Sequence, residues 1–193
     1  MATTSPSVGV GSGQPPGGGA GAVAHVAVIG AGDAGPEDLA VAEDLGRALA
    51  GRGAVVVCGG LGGVMEAVCR GARAAGGRTI GILPGDDRGQ ANPHVEVVVA
   101  TGLGEARNLL VVRTADAVVA VGGGFGTLSE IAFALRLGRP VVGLSTWELA
   151  QAGRPVDAVV RVATATEAAD AALAAIRDPE RDAQAILRST TSE

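Results

Sequence analysis

From His25 to Leu144, short apolar runs alternate with longer segments in which apolar residues recur every three or four positions. HVAVIG (25–30), AVVVC (54–58), TIGIL (79–83), VEVVVA (95–100), AVVAV (117–121) and PVVGL (140–144) are continuous apolar runs, the pattern of strands buried on both faces. Helices are predicted between them. The first covers 36–51, where Pro36 suits the opening turn and Leu39, Ala42, Leu45 and Leu49 share a face. Others are expected over about 63–75, 104–114 and 128–137, with an edge strand at 156–162 and an Ala-rich closing helix at 166–177. Strands alternating with helices predict an α/β fold, a Rossmann-like three-layer α/β/α sandwich with a mostly parallel sheet. Ligands of such sheets bind beyond the carboxyl ends of the strands, so every strand-to-helix loop borders one rim.

The chain of 193 residues fits a single domain, expected over 24–177. A Gly-, Pro- and Ser-rich tail precedes it at 1–23, and a frayed tail follows at 178–193. Net charge is −5 and aromatic residues make up 2%, so neither a basic stripe nor a stacking platform exists for a nucleic-acid polymer. No apolar run reaches the roughly 20 residues of a membrane-spanning helix. The opening MATTSPSVGVGSGQPPGGGAGA has no secretory signal pattern, and the expected compartment is the cytoplasm. Cys58 and Cys69 do not form a CxxC pair, and His25 and His94 stand apart from each other and from the cysteines. No metal site is expected, and the cysteines read as small buried hydrophobes.

Three glycine clusters follow strands. Gly30-Ala-Gly32-Asp-Ala-Gly35 is a literal GxGxxG, but a dinucleotide site also needs a carboxylate at the end of the second strand, where this chain has Cys58 and Gly59. A Gly-rich turn beside a crevice is the preferred reading, with Gly30 a possible contact. In the second cluster Gly59, Gly60, Gly62 and Gly63 precede Met65 and Glu66. Four glycines exceed the needs of a tight turn and suit close backbone approach to a phosphate, with Met65 a possible neighbour. The third, Gly122-Gly123-Gly124-Phe125-Gly126-Thr127-Leu128-Ser129-Glu130, places glycines and a hydroxyl ahead of a helix, an arrangement that cradles an anion in backbone N–H groups. No GK[ST] follows, so this is not the loop of a nucleoside triphosphatase. Thr127 and Glu130 also match a capping box, in which the glutamate would be tied to its own backbone.

Arg107 is expected in the first turn of the helix after the fourth strand. With the fourth and fifth strands as neighbours, it converges with Glu130 on one crevice. An arginine at a helix start opposes the helix dipole and calls for a local anion. The other reading is an exposed arginine paired with Glu105 or Asp116.

Taken together, GGLGGVMEAVCRGARAAGG, GILPG, GEARNLLVVRTADAVVAVGGGFGTLSE and GRPVVGL resemble the Lonely-guy (LOG) family, formerly called lysine decarboxylase-like. The resemblance covers about 24–177 and is nearest to the bacterial subgroup that includes the molybdenum-cofactor carrier protein. It implies a phosphoribohydrolase that cleaves the N-glycosidic bond of nucleoside 5′-monophosphates, cytokinin nucleotides among them, to free base and ribose 5-phosphate without a cofactor. Arg107 and Glu130 match the family's catalytic pair. Gly123, Gly124, Gly126 and Thr127 match its phosphate-binding residues, and Gly122 adjoins them. Three departures stand out: Gly122 where the family has proline, Asn108 where a lysine commonly follows the arginine, and a first glycine cluster one residue shorter.

The retained Arg107 and Glu130 point to the enzyme, with Asn108 a possible further contact. The departures point to a non-catalytic carrier of the molybdenum cofactor, whose terminal phosphate the same loop would hold. A third reading is a nucleotide-phosphate sensor acting through partners. The resemblance also implies a homodimer or homotetramer, for which the helices after the second and fourth strands offer apolar surface. Phe125 and Trp147 are the aromatic candidates for stacking on a base. Asp86, Asp87 and Arg88 form a loop on the same rim that reads as solvated.

Overall fold

The computed structural model describes residues 22–177, and the tails expected over 1–23 and 178–193 lie outside it except for residues 22 and 23. The strands are β1 His25–Gly30, β2 Val55–Cys58, β3 Arg78–Leu83, β4 Val97–Ala100, β5 Ala117–Val121 and β6 Val141–Leu144. They are followed by a small hairpin, β7 Ala150–Gln151 with β8 Arg154–Pro155, and by β9 Val160–Arg161. Helices are α1 Pro36–Gly51, α2 Val64–Ala74, α3 Asn108–Thr114, α4 Phe125–Arg136 and α5 Ala165–Arg177. The edge strand expected at 156–162 is confined to β9, and the hairpin before it has no counterpart in the sequence reading.

Every pairing in the main sheet is parallel, in the order β4-β3-β2-β1-β5-β6-β9. The continuous apolar runs follow from burial on two sides, except at the edge strand β4, where Val97 and Val99 are exposed. Val26 and Val28 of β1 join Val56, Val119 and Val121 in a core completed by α1, α2 and α5. Ala27 and Ile29 join Val57, Val118 and Ala120 in a second core against α3 and α4. Alternate residues of one strand thus serve opposite cores, and neither face can be polar. The helices α1 and α2 meet closely because Gly71 offers no side chain: a Cβ there would collide with the carbonyl of Glu43.

One expected adjacency is wrong. The fourth and fifth strands are not neighbours: β4 pairs only with β3 at the sheet edge, and β5 pairs with β1 and β6. The chain builds outward from β1 to β4, then returns across the sheet through residues 104–114 to place β5 on the other side of β1. Order therefore reverses between β1 and β5. At such a switch point the loops leaving adjacent strands diverge to opposite faces and open a crevice. The return segment brings Arg107 back toward this point, so its convergence with Glu130 comes from the crossover and not from strand adjacency.

Candidate functional site

A cleft of about 270 Å³ lies at the switch point, lined by the end of β1, the turn after it, the start of α2, and the first two turns of α4. Its size is at the small end for ligand pockets. Among the residues singled out from sequence, Arg107, Glu130, Asn108, Thr127, Gly124, Gly126, Gly59, Gly30 and Met65 line it. Gly60, Gly62, Gly63, Gly122 and Gly123 lie outside its lining. Asp33, which the sequence reading did not single out, does line it; the available signal was its place in the first Gly-rich turn.

The free N–H groups beside the cleft come from how α4 begins. Helix α4 opens at Phe125, three residues before the predicted start, with Gly124 as its N-cap and no side-chain capping bond. The first helical bond runs from Leu128 N–H to Gly124 O at 3.0 Å, which leaves the N–H groups of Phe125, Gly126 and Thr127 without intrahelical acceptors. Gly123 makes the turn possible: its φ is 109°, and a Cβ there would collide with the side chain of Thr127. The capping box expected of Thr127 and Glu130 does not form, because Thr127 sits inside the first turn. Glu130 then falls in the second turn, beyond the strongest reach of the helix dipole. Its carboxylate is free of its own backbone, and the residue is 6% exposed.

Arg107 ends a 3-10 turn at Gly104–Arg107 and precedes α3. It is 7% exposed, and Nη1 stands 3.9 Å from Glu130 Oε1. The exposed-arginine reading fails, since the Asp116 carboxylate instead accepts the His25 N–H at 2.9 Å. Arg107 Nη1 donates to Asn108 Oδ1 at 3.0 Å, and Asn108 Nδ2 lies 3.4 Å from Ser129 Oγ. Ser129 Oγ in turn donates to Gly126 O at 2.7 Å, so a polar chain links the guanidinium to the first turn of α4. The guanidinium packs over Gly59, where a Cβ would stand 2.6 Å from both terminal nitrogens. Arg107 Nε is buried and has no hydrogen-bond partner among the described residues.

The electrostatics follow from that burial. Desolvation pushes the Glu130 carboxyl from its ordinary 4.5 up to about 7, against the opposing pull of Arg107. Burial likewise lowers the Arg107 guanidinium from its usual range, against Glu130 and Cys58. A carboxyl that changes charge near neutral pH beside a fixed cation suits proton transfer, or stabilisation of positive charge developing on a ligand.

Part of the second glycine cluster is explained by its turn, since Gly63 is the N-cap of α2 and Gly60 O accepts the Asn92 N–H at 2.9 Å. Below it Cys58 and Cys69 are fully buried, with their sulfurs 3.4 Å apart. The neighbouring Cys58 thiol and burial raise the Cys69 pKa, which keeps that group a thiol. Phe125 is 81% exposed and packs on Trp147 with centroids 5.6 Å apart; neither ring lines the cleft. Asp86, Asp87 and Arg88 are exposed and lie outside the lining, with Asp87 capping a short turn through Gly89 N–H at 2.8 Å. No helix among the described residues is long and apolar enough to cross a membrane.

An uncharacterized protein of Archaeoglobus fulgidus is 44% identical over 120 residues, covering 62% of this chain and 79% of that one. A cytokinin riboside 5′-monophosphate phosphoribohydrolase of Mycobacterium tuberculosis is 35% identical over 121 residues, 58% of this chain and 64% of that enzyme. The solved structure of the molybdenum cofactor binding protein from Rippkaea orientalis superposes with a TM-score of 0.73 at 36% identity, covering 80% of this chain and 98% of that one. Over residues 23–179 the sequence matches the model of the SLOG cluster4 family. The chain belongs to that family.

Proposed function

We propose that the cleft binds a ribosyl 5′-phosphate ligand and that the protein is a phosphoribohydrolase acting on nucleoside 5′-monophosphates, cytokinin-type nucleotides included. One observation carries the reading. A buried guanidinium with an unpartnered Nε faces a buried carboxylate across the cleft, beside a helix start with three free N–H groups. The N–H groups of Phe125, Gly126 and Thr127 suit the 5′-phosphate, and Arg107 suits the ribose hydroxyls. Glu130 then lies near the anomeric carbon.

In the reaction the C1′–N bond breaks and its electron pair leaves with the base, which takes up a proton. Water supplies the oxygen that bonds to C1′. Ionised Glu130 stabilises the positive charge that builds on the ribose and orients the water, accepting its proton. The Arg107 charge favours the ionised form of Glu130. Binding of the remote phosphate holds the sugar in place for attack. The phosphoribohydrolase relative supports this reading.

A second reading, a carrier of the molybdenum cofactor, is supported by the Rippkaea orientalis protein, matched over 98% of its length. The same free N–H groups and orphaned Nε fit that ligand's terminal phosphate, with the cofactor as cargo. Incubating the protein with a panel of nucleoside 5′-monophosphates and assaying free base distinguishes the two. Base release that Glu130→Gln abolishes is the expected result. No release from any member removes the hydrolase reading, and a fluorescent pterin that copurifies with the protein selects the carrier.

A further inference from the structure

The anion-binding turn is made of three consecutive glycines, Gly122 to Gly124, which carry no side chains to fix its shape. Such a segment loses more freedom on ordering than any other, and its N–H groups serve an anion only if they converge. Something outside the turn must hold it. The segment just after β6 does so. Thr146 Oγ1 donates to Gly122 O at 2.6 Å, and Trp147 Nε1 donates to Gly124 O at 3.1 Å. Gly122 N–H also donates to Leu144 O at 3.0 Å, continuing the β5–β6 pairing into the turn.

Two carbonyls of the triglycine are thereby engaged from the β6 side. A carbonyl held by a donor outside the cleft fixes its peptide plane, and with it the direction of the N–H that follows. The Gly124 carbonyl shares a peptide unit with the Phe125 N–H and also accepts the first helical bond from Leu128. Trp147 and the helix together thus fix the first free donor of α4, while Thr146 fixes the Gly123 N–H through the Gly122 carbonyl. Trp147 is steadied by Phe125, whose ring packs on it at 5.6 Å with an interplanar angle of 37°. This gives the 81% exposed Phe125 a role away from the ligand. Ser145, just before these residues, has φ 48°, a left-handed conformation that a non-glycine residue adopts at a cost. That turn aims Thr146 and Trp147 back at the glycines.

We infer that Thr146 and Trp147 are positioning residues for the phosphate-binding turn, holding the Gly122 and Gly124 carbonyls and with them the path by which the glycines lead into the N–H groups that open α4. Neither side chain lines the cleft, so both act through the loop. The inference rests on the phosphate reading above only for its consequence in binding; the ordering of the loop is a separate observable.

The test uses Thr146→Val, which keeps shape and removes one donor, and Trp147→Phe, which removes the indole donor together with one ring, with Thr146→Ser as the conservative control. Two readouts are taken: hydrogen exchange without ligand at Gly122 and Leu128, the hydrogen-bonded amides that bracket the turn, and affinity for ribose 5-phosphate by titration calorimetry. The expected result is faster exchange at these amides in the Val and Phe variants, near-native exchange in the Ser variant, and roughly tenfold weaker binding for each lost hydrogen bond. Native exchange rates in both donor-deleted variants overturn the inference, whether or not the wild type binds the ligand. Loosened loops in the variants with a wild type that ignores ribose 5-phosphate uphold the positioning role and overturn the phosphate reading instead.

Discussion

Arg107 and Glu130 stand 3.9 Å apart, each more than nine-tenths buried, and no hydrogen bond joins them. They come from segments separated by a full crossover: Arg107 on the return from the sheet edge, Glu130 on the helix behind β5. A buried ion pair of this kind gives little net stability, because desolvating both charges offsets their attraction. Its persistence with Nε unsatisfied fits a site prepared for a ligand acceptor.

The first prediction concerns pH and stability. Folding raises the Glu130 carboxyl from 4.5 to about 7, so the unfolded state binds fewer protons across that window. Stability contributed by this group is full below 4.5 and is lost as pH rises through 7. Glu130→Gln has no proton to lose. It is expected to exceed the wild type by roughly 3 kcal/mol near pH 8 and to match it near pH 4. Urea denaturation at the two pH values checks this.

Activity runs the other way. If ionised Glu130 does the work, kcat/KM for a nucleoside monophosphate rises with pH through about 7 and then levels. Replacing Arg107 with Met removes the cation that favours the ionised carboxylate, so the limb moves to higher pH and the plateau falls. A profile measured for both proteins reads the shift directly.

Gly59→Ala tests how the guanidinium is seated. The new methyl would stand 2.6 Å from both Nη atoms and from Met65 Sδ. Arg107 must move, and activity is expected to fall by about a hundredfold, the scale of an ångström-sized misplacement, while Tm changes by only a few degrees. Steady-state kinetics beside a melting curve separates these outcomes.

Gly71→Val tests the fold away from the site. Its side chain would strike the Glu43 backbone across the α1–α2 contact and force the helices apart. Overpacking of this kind costs about 1–3 kcal/mol. A chemical denaturation curve gives the loss.

Much of this was legible in the chain. The α/β fold followed from apolar runs such as AVVAV at 117–121, since only a strand covered on both faces needs every residue apolar. Arg107 and Glu130 stood out through charge beside glycine-rich turns and through the family resemblance. The start of α4 did not, because Gly126 reads as loop and Thr127 as a cap, whereas the Leu128 N–H bond to Gly124 O carries the helix back to Phe125. Strand order was also misjudged: sequence orders the strands along the chain and carries no sign of the side of β1 on which β5 inserts. Asp33 and the Thr146–Trp147 support were missed because their importance lies in where the switch point and the β6 loop place them.

The most direct measurement of the central claim is a crystal structure of the protein soaked with ribose 5-phosphate. The account predicts the phosphate on the N–H groups of Phe125, Gly126 and Thr127, with the sugar between Arg107 and Glu130 and an oxygen on Arg107 Nε. An empty cleft, or a ligand bound with those two side chains turned away from it, would contradict the account.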